Sequence, residues 1–170
     1  MMRRFHVIHL FGLLAFVFCF TSLSPAADFS QFRGQSGKAI NTQSDLPMKW
    51  SDDSNLMWKA EIEGRGSSSP IVVGEKILLT AYSGYGNLNQ SGSQEKLVRQ
   101  LLCFDLKDGK QLWKATIANE QQEDVYQGFI TEHGYATSTP VSDGESVFVF
   151  FGCLLYTSDA ADDSLRVDLG

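Results

Sequence analysis

The segment Ser68-Ser69-Pro70-Ile71-Val72-Val73-Gly74-Glu75 returns as Ser138-Thr139-Pro140-Val141-Ser142-Asp143-Gly144-Glu145. The alignment that sets Pro70 on Pro140 also matches Ile77 with Val147. Self-similarity of this kind constrains the fold before local propensity does, because a repeated unit buries its apolar face against its neighbour. In each copy a glycine stands where a tight hairpin needs a positive φ. A third turn of the same chemistry, Asp108-Gly109, lies between Phe104 and Trp113.

Short β-type runs alternate with turn residues over 56–62, 68–73, 76–81, 97–106, 111–118, 137–141 and 146–151. No stretch between them is long and periodic enough for a helix. A second match pairs Trp58-Lys59-Ala60-Glu61-Ile62 with Trp113-Lys114-Ala115-Thr116-Ile117. Its spacing differs from that of the prolines, so insertions of unequal length are expected between shared strands. The Gly/Ser/Asn-rich stretch 83–93 and the polar stretch 119–134 fit that role, since loops vary freely on a rigid scaffold. Residues 28–54 show neither period and are expected to form an extended lead-in pinned by Phe29, Phe32 and Trp50. One unit is then a Ser-Ser-Pro strand, a glycine turn, an apolar strand, a loop, a third strand, an Asp-Gly turn and a fourth strand. Four antiparallel strands per unit is the plan of a β-propeller blade.

Both ends of the chain stand apart from this pattern. Residues 1–27 run from Arg3, Arg4 and His6 through an apolar stretch into Ser24-Pro25-Ala26-Ala27, the layout of a secretory signal peptide. Cleavage is expected after Ala26 or Ala27, because the apolar run 7–20 is shorter than the about 20 residues a bilayer span needs. Cys19 lacks the small residues that precede a lipidated cysteine. At the other end, Cys153-Leu154-Leu155-Tyr156-Thr157-Ser158-Asp159-Ala160-Ala161-Asp162-Asp163 resembles the translation of a transposase adapter used to prepare sequencing libraries. Residues 153–170 are therefore expected to be a non-biological tail, with the gene product continuing past Gly152.

Cys103 is the only cysteine between these ends, so no intramolecular disulfide is available there. An exported protein of this kind relies on a hydrophobic core instead. The formal charge of −6 includes four acids and one arginine of the 153–170 tail, so the rest of the chain is closer to neutral, and without a basic patch no nucleic-acid partner is expected.

Leu102-Cys103-Phe104-Asp105-Leu106-Lys107-Asp108-Gly109-Lys110-Gln111-Leu112-Trp113 resembles the repeat of pyrroloquinoline-quinone-like (PQQ-like) β-propellers through Asp105, Gly109, Trp113 and their apolar spacing. The lead-in Gln31-Phe32-Arg33-Gly34 and Leu46-Pro47-Met48-Lys49-Trp50-Ser51 resembles the start of exported members from planctomycete-type bacteria. The repeat is also similar to that of the outer-membrane assembly scaffold lipoprotein. This resemblance covers nearly all of 28–152 and implies an all-β fold, a fragment of a β-propeller with about one and a half four-stranded antiparallel blades over 55–152. It implies that Trp113 docks on a neighbouring blade, its ring over backbone near a glycine such as Gly109. It also implies that 56–62 is an N-terminal strand completing a last blade. As an isolated piece, 28–152 is expected to be marginal, because strand edges stay uncovered.

Family members that are dehydrogenases hold the quinone on the propeller axis with calcium, an acidic base and stacking aromatics. No Cys-Cys pair occurs here, and no residue is assigned to catalysis, cofactor or metal. Glu120, Glu123, Asp124, Glu132 and His133 form a polar cluster that reads as a solvated loop, because no ligand spacing rises above composition. Gly64-Arg65-Gly66-Ser67-Ser68 reads as a glycine-flanked entry into the innermost strand, with a channel-facing arginine as the other possibility. Gly84-Tyr85-Gly86 precedes no helix and is not a phosphate loop. His133 has no nucleophile motif beside it. The expected function is an exported, periplasmic or secreted, binding or assembly scaffold for a protein or polymer partner, without a membrane span after signal cleavage. The alternative is a quinoprotein dehydrogenase using PQQ and calcium on blades outside this chain.

The expectation for the tail has a direct check. Genomic DNA sequenced across codon 153 should show bases unrelated to the adapter and an open frame continuing the strand; the adapter-free sequence encoding Cys153 to Asp163 would contradict it.

Overall fold

The computed structural model describes residues 29–40, 46–86, 92–118, 122–152, 154–159 and 165–168, with backbone alone for the last two segments. Residues 1–27, read as an export signal, lie outside the described residues, as do Glu120 and 87–91 of the Gly/Ser/Asn-rich insertion.

The protein is all-β. One four-stranded antiparallel sheet runs in order through β1 (Ile71–Val73), β2 (Lys76–Ser83), β3 (Val98–Asp105) and β4 (Gln111–Ala118). A second follows with β5 (Val141–Ser142), β6 (Ser146–Phe151), β7 (Leu154–Asp159) and β8 (Leu165–Asp168). A one-turn helix, α1 (Ile130–His133), and two 3-10 turns are the helical elements among the described residues.

The repeat is realised to the residue. In the first hairpin Ile71 faces Leu78 and Val72 faces Ile77; in the second Val141 faces Phe148 and Ser142 faces Val147. The turn glycines Gly74, Gly109 and Gly144 all take positive φ. Asp143 caps its own turn, its Oδ1 accepting from the amides of Glu145 at 3.0 Å and Ser146 at 2.7 Å. Those bonds, to Ser146 first, hold the Asp143 carboxyl below its ordinary pKa.

The strands begin later than the Ser-x-Pro sequence suggests, because proline carries no amide hydrogen for the ladder. Ser68 supplies the missing bonds through its side chain. Its hydroxyl accepts from the Thr80 amide at 3.0 Å and donates to the Thr80 carbonyl at 3.1 Å. The two Ser-x-Pro copies then lie side by side. The Ser69 amide donates to Thr139 Oγ1 at 3.0 Å, the Ser67 amide to the Ala136 carbonyl at 2.9 Å, and Thr80 Oγ1 to the Ser138 carbonyl at 3.1 Å.

From Leu101 to Phe104, β3 is apolar on both faces and buried on both. Leu101 and Cys103, with Leu78 and Ala115, face the second sheet and pack into one core with Val147, Val149 and Phe151. Burial raises the Cys103 thiol to about 11, so it stays a neutral packing group. Leu102 and Phe104 point the other way, toward Ala60, Ile77, Leu79 and Ala81. Residues 56–62, expected as a strand, pair with no strand among the described residues and cross this face as an extended segment.

Trp58 fixes that segment, which corrects the assignment of Trp113 to Gly109. A Cβ at Gly109 would stand 2.3 Å from Trp58 Cε3, so the indole lies directly on the turn backbone. Trp58 Nε1 donates to the Leu106 carbonyl at 3.0 Å. Trp113 sits in the middle of β4 on the opposite face, packed against the inter-sheet core. Its indole N–H is shielded and has no acceptor among the described residues. The lead-in is pinned by Phe29, which bridges Val72 in both directions at 2.9 and 3.0 Å and lays its ring over Gly34, and by the Ser30 carbonyl, which accepts from the Ser142 amide at 2.8 Å. Phe32 and Trp50 are exposed instead.

The second sheet also departs from the expected half-unit. The backbone of β7, within the stretch expected to be foreign, pairs with β6 from Ser146 opposite Asp159 to Phe151 opposite Leu154. Without β7, that edge of β6 would present a row of backbone donors and acceptors with which any following extended chain can pair.

The two tryptophans separate by substitution. Trp58→Phe should destabilise the protein by about 1 kcal/mol more than Trp113→Phe, because only the first removes a satisfied hydrogen bond. Equilibrium denaturation of both variants measures it, and equal losses would contradict the docking of Trp58.

Candidate functional site

Residues 122–134 of the insertion fold back over one end of the first sheet, and an ion pair to a buried arginine holds them there. Arg99, on the core face of β3 between Tyr82 and Ile117, pairs with Glu123 of the insertion and lies 5.9 Å from the centroid of the Phe151 ring. Arg99 is 2 % exposed, so taking Glu123 away leaves a charge in a medium that solvates it poorly. Gln94 adds a second tie, donating through Nε2 to the Glu123 carbonyl at 2.7 Å.

Four tyrosines collect beneath the folded-back insertion. Tyr135 stands at the centre, edge-on to Tyr82 with centroids 5.4 Å apart, and tilted against Tyr85 at 5.8 Å and Tyr126 at 6.1 Å. Its hydroxyl donates to the Asp124 carbonyl at 2.7 Å, and the Tyr126 amide donates to the Tyr85 hydroxyl at 3.2 Å. Glycine makes this packing possible. A Cβ on Gly134 would meet Tyr82 Cε1 at 2.4 Å, and Gly134 itself has a φ of 69°. Gly86 is shaved in the same way by Tyr126 and Tyr135.

A cleft of about 240 Å³ opens above these rings. Arg65, Gly66 and Ser67 form one wall, Thr131, Glu132, His133 and Gly134 the other, and Tyr82 and Tyr126 the floor. The walls are joined by hydrogen bonds. Arg65 and Tyr82 exchange backbone bonds at 2.9 and 2.7 Å, and Ser67 Oγ donates to the His133 carbonyl at 3.2 Å. Tyr82 donates from its hydroxyl to the Gly86 carbonyl at 3.1 Å. Burial first, then the neighbouring Tyr126 hydroxyl, pushes the Tyr82 phenol up to about 12, with Arg65 pulling weakly the other way. Burial likewise raises Tyr135. Both phenols stay protonated at neutral pH.

The acidic cluster anticipated in the insertion disperses. Glu132 and His133 reach the cleft, Glu123 turns to Arg99, and Asp124 contributes its backbone carbonyl to Tyr135. His133 stacks on Phe129 with centroids 4.5 Å apart. Among the described residues no three His, Cys, Asp or Glu side chains converge where a cation would sit. With Glu132 as its one carboxylate, the cleft does not fit a quinone held by a divalent ion. The Gly64-to-Ser68 entry places Arg65 and Ser67 on this open cleft. The sequence carries no sign of the Tyr82 and Tyr126 floor itself; Gly84-Tyr85-Gly86 and Gly134-Tyr135, where glycine stands beside tyrosine, mark only the close ring packing behind it.

Tyr82 makes stability depend on alkaline pH. Its folded pKa lies above the unfolded value of 10.0, so the stabilisation is complete below pH 10 and is lost as pH rises toward about 12. Unfolding midpoints measured from pH 9 to 12 should fall less steeply for Tyr82→Phe; parallel curves would contradict the buried phenol.

Among the described residues no helix is long and apolar enough to cross a membrane. Neither the protein-family models nor the curated proteins compared with the chain give a match.

Proposed function

We propose that the chain is part of an exported PQQ-like β-propeller acting as a binding or assembly scaffold, with the tyrosine-floored cleft in its recognition surface. The observation that carries the reading is the pair of hairpins in identical register, set edge to edge through Ser67, Ser69 and Thr80. Successive four-stranded units meeting along their first strands are how a propeller surrounds its axis. Trp58 on the Asp108-Gly109 turn supports the same reading, since it ties a segment preceding the first unit onto that unit's outer hairpin.

The cleft is suited to recognition more than to proton transfer. Its Tyr82 phenol is held neutral by burial, and that proton is directed into the Gly86 carbonyl. Side chains at its mouth are exposed and positioned by a loop that the Arg99–Glu123 pair anchors. Rigid support under an exposed polar rim is what a binding surface needs.

Full-length protein supplied with PQQ and calcium should reduce no dye with alcohols or aldoses as electron donors. Steady turnover in that assay would overturn the scaffold reading and establish a quinoprotein dehydrogenase.

A further inference from the structure

We propose that the cleft between residues 65–67 and 131–134 binds one neutral sugar ring of a glycan chain. The inference rests on the scaffold reading above and names the ligand class for its cleft.

Hydrogen-bond polarity carries the assignment. Four hydroxyls line the cleft. Tyr82 points its proton to the Gly86 carbonyl at 3.1 Å, Ser67 to His133 at 3.2 Å and Thr131 to Gly128 at 2.7 Å, while the Tyr126 hydroxyl is hydrogen-bonded to that of Tyr82. The exposed Ser67 and Thr131 oxygens therefore meet a ligand as acceptors. The Glu132 carboxylate is a further acceptor, while the Arg65 guanidinium offers donors in a planar fork. Arg65 makes no ion pair with a carboxylate among the described residues.

A ligand must therefore donate to several oxygens and accept from one guanidinium. A carboxylate or phosphate has no proton to give and would face Glu132. An ammonium has protons but nothing to accept with, and would face Arg65. Vicinal hydroxyls do both, each giving one proton and presenting two lone pairs. Volume agrees, because about 240 Å³ is below the range of about 300–1,000 Å³ typical of drug-sized pockets and suits a single ring. The half-buried Tyr126 ring adds an apolar surface for the C–H side of a pyranose. The floor is held in place by Gly86 and Gly134, so little ordering is left for binding to cost.

Saturation-transfer NMR and titration of the full-length protein with cellotetraose, maltotetraose and xylotetraose test the proposal, with tetragalacturonate as the anionic comparison. At least one neutral tetrasaccharide should bind. Arg65→Ala and Glu132→Gln should each weaken it about tenfold, the loss of one charge-assisted hydrogen bond. Lys107→Ala, on the distant β3–β4 turn, should leave it unchanged. Thermal unfolding of the three variants should match the parent, which separates lost contacts from lost structure. The proposal is overturned if no neutral tetrasaccharide binds, if tetragalacturonate binds more tightly than all three, or if neither cleft variant weakens binding. Failure on sugars in a protein that also fails to reduce dye with PQQ removes the sugar and leaves the scaffold; dye reduction removes the scaffold reading itself.

Discussion

From Leu101 to Phe104, β3 is apolar on both of its faces, and the rest of the molecule is arranged around covering it. A strand with one wet face can sit at the surface of a sheet, but Leu101 and Cys103 point one way and Leu102 and Phe104 the other, all buried. Fully burying a side chain of this size is worth about 1.5–3 kcal/mol, so leaving either face open would forfeit several such contributions. The second sheet covers one face through Val147, Val149 and Phe151. The 56–62 segment covers the other through Ala60, and Trp58 secures it at the turn.

The functional surface follows from that cover. Where the second sheet stops short, the insertion folds over the end of the first sheet and brings Tyr126 and Tyr135 against Tyr82. Arg99 and Glu123 are the tie. A buried pair of this kind adds little net stability compared with apolar contacts, but it fixes where the insertion sits, since a buried arginine tolerates few alternative partners. The cleft, its glycine-backed floor and its acceptor-rich lining depend on that placement.

Elements whose cause is local could be read from the sequence. The three hairpins follow from Gly74, Asp108-Gly109 and Asp143-Gly144, because positive φ and aspartate capping are properties of a few adjacent residues. The repeat register followed from matched spacing. What could not be read depends on the path of the chain in three dimensions. Trp58 and Trp113 occupy matching sequence positions, and only the path of 56–62 decides that Trp58 reaches Gly109. The lead-in aromatics divided for the same reason, Phe29 finding the β1 edge while Phe32 and Trp50 stayed in solvent. The clustered tyrosines, two of which floor the cleft, come from three separate stretches of chain, and no spacing rule unites positions 82, 85, 126 and 135. The dispersal of the acidic cluster has an equally specific cause, a buried arginine in β3 that claims Glu123.

Side-by-side packing of the two repeats is the claim on which fold and proposed function both rest. It is tested most directly by amide hydrogen exchange at Ser67 and Ser69, whose N–H groups are bonded to the second repeat at Ala136 and Thr139. Both should exchange slowly in the intact protein, and Thr139→Val should speed exchange at Ser69 while leaving the β2–β3 ladder protected. Exchange at Ser67 and Ser69 as fast as in an unstructured chain, with that ladder still protected, would contradict it.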